Sequence, residues 1–439
     1  MPTTAPARLR WKTANVRGIS NHMPGQLLRV VTAGSVDDGK STLVGRLLHD
    51  AKAVLSDQLS AVEAASERRG YDGADLALLV DGLRAEREQG ITIDVAYRYF
   101  ATARRTFILA DTPGHVQYTR NTVTGASTAD VAVILVDARS GVVEQTKRHA
   151  AVAQLLRVEN IVLAVNKMDL VDYSEAIFDQ IVSDFAAVAG NLALPGFTPI
   201  PIAALAGDNV VDKSTHMSWY TGTPLLQYLE EVEPRESEDV PARFPVQVVM
   251  RPRSAEYPDY RGYAGRVEAG TIHAGDKVVV LPSGRNTTIE AIDTPDGELT
   301  NAPAGRSVVL RLSDDIDIAR GEMIAVDRDP RPSVVREVEA TVCWLTDRPL
   351  RAADRFSLRH TTRDVRSVVD AVLSKLDVST VTSNPATQLE LNDIGAVRIR
   401  LAEPIIVDAY STNRSTGAFL LVDEASGATV AAGMISGTS

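Results

Sequence analysis

Between residues 27 and 169, four short apolar runs (LLRVVTAG, TFILADTPG, VAVILVDA and NIVLAVNKMD) each end in a polar, loop-like sequence. Strands this apolar suit a parallel sheet covered on both faces. The intervening stretches 41–50, 145–156 and 174–189 predict helices. This alternation predicts a doubly wound α/β domain over residues 27–236, with ligand loops at the carboxyl ends of its strands. The segment 234–245, PRESEDVPARFP, is charged and proline-bearing and reads as a linker. After it come FPVQVVMR, GYAGRVEAG, DKVVVLPSG, NTTIEAID and RSVVLRL, short β-type runs spaced by Gly, Pro and Asp turns, as in a small barrel. A second break, DRDPRPS at 327–333, precedes another such series. Two small β-barrel domains are therefore expected, at 243–330 and 334–435, and no solenoid repeat is present.

Composition narrows the class. A chain of 439 residues is too long for one ordinary core. Its 44% hydrophobic and 23% charged residues are a globular mix, and no apolar run approaches the roughly 20 residues of a membrane-spanning helix. Residues 1–26 mix Pro, Thr, Arg and Asn without the apolar centre of a secretory signal, and are expected to be a disordered tail, with Met23 an alternative start. A single cysteine, Cys343, forms no internal disulfide and reads as a buried structural thiol, which implies a cytoplasmic address. The net charge of -11 argues against a surface that tracks nucleic acid.

Chemistry concentrates at the strand ends. Gly34-Ser35-Val36-Asp37-Asp38-Gly39-Lys40-Ser41, followed by Thr42, matches the phosphate-binding P-loop in full, between an apolar strand and a helix. Its glycines let backbone N–H groups curl around phosphate oxygens, and the helix N-terminus adds its positive dipole end. Lys40 is expected to reach the β- and γ-phosphates, and the Ser41 hydroxyl to ligate Mg²⁺. Asp111-Thr112-Pro113-Gly114-His115 follows the strand TFILA, where Asp111 can hold the metal through water and the Gly114 N–H can bond a γ-phosphate. Asn166-Lys167-Met168-Asp169 ends another strand. The Asp169 carboxylate accepts two N–H donors that guanine has and adenine lacks, Asn166 bridges to neighbouring loops, and the Lys167 stem lies along the base. In Ile202-Ala203-Ala204-Leu205 a loop N–H meets the guanine carbonyl oxygen. Thr92, in Glu86–Asp94 (EREQGITID), offers a hydroxyl that closes on Mg²⁺ when the γ-phosphate is present, against the plainer reading of a charged helix end. These motifs make the expected fold class an α/β P-loop GTPase domain followed by two small β-barrel domains.

The order GSVDDGKS, EQGITID, DTPGH, NKMD resembles the translational GTPases, of which elongation factor Tu is the familiar member. The resemblance covers about residues 27–434. It implies GTP and GDP as ligands, Mg²⁺ held by Ser41, Thr92 and Asp111, and His115 positioning the attacking water, with Lys40 and Gly114 also in the catalytic set. Within that superfamily, GSVDDGKSTL, DGLRAEREQGITIDVAYRYF, ADTPGHVQYTRN, NKMDLVDYSE, GDNV and RSTGAFLLVDEASGATVAAGM resemble the GTPase subunit of bacterial sulfate adenylyltransferase. Asp38 stands where elongation factors carry His or Ser before the P-loop Gly-Lys. Ala203 departs from the Ser usual in that family, so looser guanine binding through the Ala204 N–H is expected.

That resemblance implies coupling of GTP hydrolysis to the making of adenosine 5′-phosphosulfate and pyrophosphate from ATP and sulfate. It also implies a separate small ATP-binding catalytic subunit, in a heterodimer or larger assembly, because this sequence has no second nucleotide motif. Some relatives are fused to an adenylylsulfate kinase; with one P-loop only, that activity is not expected here. The competing expectation is an elongation-factor-like GTPase that delivers aminoacyl-tRNA, since fold does not fix function. The remaining histidines, His22, His49, His149, His216, His273 and His360, lack metal-ligand spacing and read as surface or ordinary core residues.

Overall fold

The computed structural model describes residues 27–51, 76, 94–114, 119–233, 240–252, 260–377 and 382–438. His115, Thr92, Met23 and the expected tail at 1–26 lie outside these. The chain forms two compact units, one built around Gly25–Arg235 and the other around Glu236–Leu376 with Ser383–Ser439. Among the described residues no helix is long and apolar enough to cross a membrane.

In the first unit the strands are β1 (Leu27–Ala33), β2 (Ala96–Ala101), β3 (Thr106–Asp111), β4 (Val131–Asp137), β5 (Asn160–Asn166) and β6 (Thr198–Pro201), in the sheet order β2-β3-β1-β4-β5-β6. Strand β4, VAVILVD, is buried along its whole length, because helices cover both faces and leave no side for polar residues. The sheet is not wholly parallel. Strand β2 runs antiparallel to β3 at the edge, and its alternating half-buried and exposed positions follow from having one open side. The helices are α1 (Lys40–Asp50), α2 (Thr119–Ala126), α3 (Glu144–Leu155), α4 (Glu175–Asn191) and α5 (Leu225–Glu231). Helix α1 buries Leu43, Val44, Leu47 and Leu48, one stripe at helical spacing, in a core shared with Leu28, Leu109 and Leu135. Ser174 caps α4 by accepting the Ile177 N–H at 3.4 Å.

Strand β1 pairs with β3 on one side and β4 on the other, both parallel, so the winding direction reverses at β1. Ligand loops of doubly wound sheets gather at such a point, beyond the carboxyl ends of the strands.

The second unit holds two barrels. Strands β7 (Arg243–Met250), β8 (Gly262–Arg266), β9 (Lys277–Leu281), β10 (Arg285–Thr294), β11 (Ser307–Leu312) and β12 (Met323–Val326) run in the order β9-β12-β7-β8-β11-β10 and close through β9–β10. Strands β13 (Ser333–Trp344), β14 (Arg355–His360), β15 (Arg363–Asp377), β16 (Ile394–Val407), β17 (Ala418–Val422) and β18 (Thr429–Thr438) run β14-β17-β18-β13-β16-β15 and close through β14–β15. Closure removes exposed strand edges. The long strands of the second barrel bend at register shifts, such as that between Val335 and Glu337.

The end of the expected linker differs: Arg243, Phe244 and Pro245 are already strand β7, and Arg243 is fully buried. A charged sequence mimics solvated linker, but this guanidinium finds a carboxylate and carbonyl oxygens inside the unit. Cys343 is buried, and burial pushes its thiol up to about 12. His149 and His360 are core residues.

Candidate nucleotide site

The P-loop turns from β1 into α1 with Asp37 (φ 64°) and Gly39 (φ 90°) in left-handed conformations. A side chain on Gly39 would set its Cβ 2.5 Å from Asn166 Nδ2, and one on Gly34 would stand 3.0 Å from the Leu135 carbonyl oxygen. Close approach thus favours glycine at both positions, and at Gly39 the left-handed turn does so as well. Lys40 is buried, its ammonium donating to the carbonyls of Gly34 (3.1 Å) and Ser35 (2.7 Å). Burial pushes its pKa down, while Asp111, Asp38 and Asp37 pull the other way. Ser35 and Val36 are half-buried, Asp37 is exposed, and Thr42 is half-buried in the first turn of α1.

Asp38 folds back into its own loop, where its Oδ2 accepts the Ser35 N–H at 2.5 Å. Burial raises its pKa, against the lowering effect of that N–H and of Lys40. The carboxylate therefore braces the turn and does not project into solvent.

Asp111 ends β3 with no exposed surface. Its two oxygens accept from Thr32 Oγ1 at 2.8 Å and Ser41 Oγ at 2.9 Å. A hydroxyl beside a buried carboxylate is the hard oxygen set that suits Mg²⁺. Among the described residues no group of three or more His, Cys, Asp or Glu is arranged to hold a metal. Gly114 closes this corner: a Cβ there would stand 2.7 Å from Lys40 Nζ and 2.8 Å from Val36 N.

On the far side, Asn166 ties three loops together. Its Nδ2 donates to the Asp38 carbonyl at 2.7 Å, and its Oδ1 accepts the Ala204 N–H at 3.0 Å. The N–H expected to face a base carbonyl thus already has a partner in Asn166. Lys167 (φ 64°) reaches the Asp37 carbonyl at 2.5 Å and Asp137 Oδ2 at 3.0 Å. Asp169 is half-buried in the first turn of the short helix Met168–Val171. Ala203 and Ala204 are buried, whereas Leu205 is 66% exposed and free to lie against a ligand.

Three residues of this neighbourhood, Asp137, Tyr173 and Arg46, escaped the sequence reading. Asp137, at the end of β4, takes a two-pronged contact from Arg139 at 3.0 and 2.6 Å in addition to Lys167. Burial opposes its ionisation, but these hydrogen bonds outweigh burial and hold the carboxyl well below the usual carboxylate range. Its signal was available, since VAVILVD ends in Asp just as TFILAD does. Tyr173 donates to Asp208 Oδ2 at 3.2 Å, which joins the loop after Asp169 to the loop after Ala204. Arg46, on α1, donates to the Ala204 carbonyl at 3.2 Å and to that of Leu205. No spacing in the sequence announced either contact.

The comparisons agree with this geometry. Residues 25–235 match the Elongation factor Tu GTP binding domain, and residues 337–436 match the GTP-eEF1A C-terminal domain-like family. The bifunctional enzyme CysN/CysC of Mycobacterium tuberculosis (strain CDC 1551 / Oshkosh) is 53% identical over 412 residues, which span 93% of this chain and 67% of that protein. Sulfate adenylyltransferase subunit 1 of Tolumonas auensis is 48% identical over 425 residues, spanning 95% and 89%. The protein of the same name from Francisella tularensis subsp. novicida is 47% identical over 419 residues, spanning 95% and 88%. A GTP-binding domain with its phosphate and guanine loops at one sheet end, followed by two closed barrels, places the chain in the sulfate adenylyltransferase subunit 1 family of elongation factor Tu-like GTPases.

Proposed function

We propose that this chain is the GTP-hydrolysing subunit of a heteromeric sulfate adenylyltransferase. GTP and water become GDP and phosphate here, while a small ATP-binding subunit converts ATP and sulfate to adenosine 5′-phosphosulfate and pyrophosphate. The observation that carries this reading is the convergence of P-loop, Asn166 and the Ala203–Leu205 loop at the ends of β1, β5 and β6, in a chain of that family. The small subunit is inferred from the family, and the cytoplasmic address from the single, buried cysteine.

The roles follow from position. Asp169 reads the guanine edge, Lys167 covers a face of the base, and Asn166 holds both loops to the P-loop. The N–H groups from Gly39 to Thr42 meet the phosphates at the start of α1, where the helix dipole favours negative charge. The Lys40 ammonium turns from the Gly34 and Ser35 carbonyls toward the β- and γ-phosphate oxygens. Ser41 and Asp111 are the groups that would hold Mg²⁺, with Thr92 added in the GTP state. The bound ion would neutralise charge on the β- and γ-phosphate oxygens. His115, by resemblance, orients the attacking water, and Gly114 places an N–H beside the γ-phosphate.

Adenylating sulfate forms a high-energy phosphosulfate anhydride, so from ATP alone the reaction stalls far from completion. The test is reconstitution. The chain alone should cleave GTP slowly and form no phosphosulfate; with an ATP-binding partner recovered by affinity capture, product should track GTP consumed. Recovery of aminoacyl-tRNA in place of that partner, with no sulfate-dependent chemistry, would replace this reading with the translation-factor one.

A further inference from the structure

We propose that Arg46 is a positioning residue for guanine recognition, holding the loop whose Ala204 N–H reads the carbonyl at position 6 of the base. The inference rests on the guanine-nucleotide reading above and concerns how that reading is achieved. Arg46 sits on α1, six residues past Lys40, so one rigid helix carries both the phosphate lysine and this guanidinium. Its Nε donates to the Ala204 carbonyl at 3.2 Å and its Nη2 to the Leu205 carbonyl. The remaining nitrogen, Nη1, lies 3.5 Å from Asp50 one turn along the helix, which fixes the guanidinium's roll. The side chain is only 18% exposed.

The loop needs such support. Ala203 has a methyl group and no polar atom to anchor the turn. What holds the turn is backbone: Ala203 N–H to the Asp208 carbonyl at 3.2 Å, and Gly207 N–H to the Ala203 carbonyl at 2.7 Å. Gly207 has φ 94°, and a Cβ there would lie 3.8 Å from the Arg46 Cζ and Nε, so the guanidinium packs directly beneath the turn. On the opposite side Asn166 takes the Ala204 N–H itself. Ala204 is thus gripped at both its N–H and its C=O, by Asn166 and Arg46. Two successive carbonyls held by one planar fork orient two successive peptide planes, which a lysine's point charge does not do. A base arriving in the site takes that N–H over from Asn166 Oδ1 in a loop whose backbone is already ordered, so less ordering free energy is lost on binding.

The experiment compares the full chain with Arg46→Ala and Arg46→Lys, using GTP, 6-thio-GTP and ITP as probes. The sulfur of 6-thio-GTP is a poor acceptor at position 6 and leaves the rest of the guanine edge intact; ITP lacks only the 2-amino group that Asp169 reads. If Arg46 acts through the Ala204 N–H, Arg46→Ala should lose about 5–10-fold in GTP affinity, the scale of one hydrogen bond. Its preference for GTP over 6-thio-GTP should shrink by a similar factor while its preference for GTP over ITP stays at the wild-type value. Arg46→Lys should fall between, and decides by the same ratios should Arg46→Ala fail to fold. Equal losses for all three nucleotides, or no loss in a variant of unchanged melting temperature, would overturn the proposal. A wild-type chain with no preference for guanine nucleotides would instead remove the functional reading on which it rests.

Discussion

Arg243 and Asp408 lie 165 positions apart and meet in a two-pronged ion pair at 3.0 and 3.1 Å. Arg243 begins the first barrel and has no exposed surface; Asp408 immediately follows β16 of the second. The guanidinium also donates to the carbonyls of Pro241 (2.9 Å) and Pro330 (2.6 Å), and Asp408 accepts from Thr416 Oγ1 at 2.6 Å. Both members of this buried charge pair therefore have further hydrogen-bond partners, which is the condition for tolerating a buried charge.

Removing one partner should be far costlier than removing both. Arg243→Met leaves Asp408 buried and unpaired, and should lower stability by about 3–5 kcal/mol. Arg243→Met combined with Asp408→Leu should recover most of that loss, because no stranded charge remains. Urea denaturation of the two variants checks this. Equal destabilisation in both would show that packing, and not the charge pair, sets the cost.

This junction also shows where sequence reading stops. The strands of the nucleotide-binding unit were legible because β1, β3 and β5 are short, apolar and followed at once by motif loops. The P-loop, Asp111, Asn166 and Asp169 were legible for the same reason, since each motif has a fixed place at a strand end. Arg243 was hidden inside a proline- and charge-rich segment, because only its tertiary partner distinguishes a buried guanidinium from a solvated one. Arg46 and Tyr173 were hidden because their partners are a backbone carbonyl and an aspartate 158 and 35 positions away. The edge strand β2, AYRYFA, alternates where its neighbours are apolar, but the direction of its pairing leaves no mark in the sequence.

Asp169→Asn should exchange guanine preference for xanthine. The aspartate offers only acceptors to the base, and asparagine supplies a donor where xanthine presents a carbonyl. Loss of two charge-assisted hydrogen bonds at ~1.5 kcal/mol each predicts about a 10²-fold loss of GTP affinity. Competition between GTP and XTP measures it. A variant that keeps the wild-type GTP:XTP ratio would mean that Asp169 does not read the base.

His149 predicts a pH dependence. It is buried on α3, and its ring Nδ1 has no hydrogen-bond partner among the described residues. Burial, with repulsion from Lys40 and Arg148, pushes its pKa down to about 3. The folded state holds the neutral ring, whereas the unfolded chain protonates near pH 6.5. Its contribution is therefore fully present above pH 6.5 and is lost as pH falls from there toward 3, at about 1.4 kcal/mol per pH unit. His149→Leu removes the titration. Between pH 6.5 and 4.5 the wild type should lose more stability than this variant, by ~2–3 kcal/mol on the same scale. Parallel stability curves would contradict the buried neutral ring.

Gly114→Ala should separate the GTP state from the GDP state. A Cβ at this position would stand 2.7 Å from Lys40 Nζ, which can swing aside, but also 2.8 Å from Ser35 C and Val36 N, which are backbone and cannot. The strain is relieved most cheaply by withdrawing residues 112–114 from the P-loop, at about 1–3 kcal/mol for a misplaced methyl group. Withdrawal carries the residue 114 N–H away from where a γ-phosphate would sit and leaves the P-loop, Asn166 and Asp169 in place. GTP affinity should fall by about 5–150-fold, the equivalent of that strain, and GDP affinity by much less. Single-turnover GTP cleavage should fall further still, since His115 follows Gly114 directly in the chain and would be displaced with it. Titration calorimetry with GDP and with a non-hydrolysable GTP analogue distinguishes the cases. Equal losses for both nucleotides would mean that the methyl group has deformed the P-loop itself. No loss for either would mean that the close approach of Gly114 to Lys40 and Val36 is not kept when nucleotide is bound, and Gly114 would then have no part in sensing the γ-phosphate.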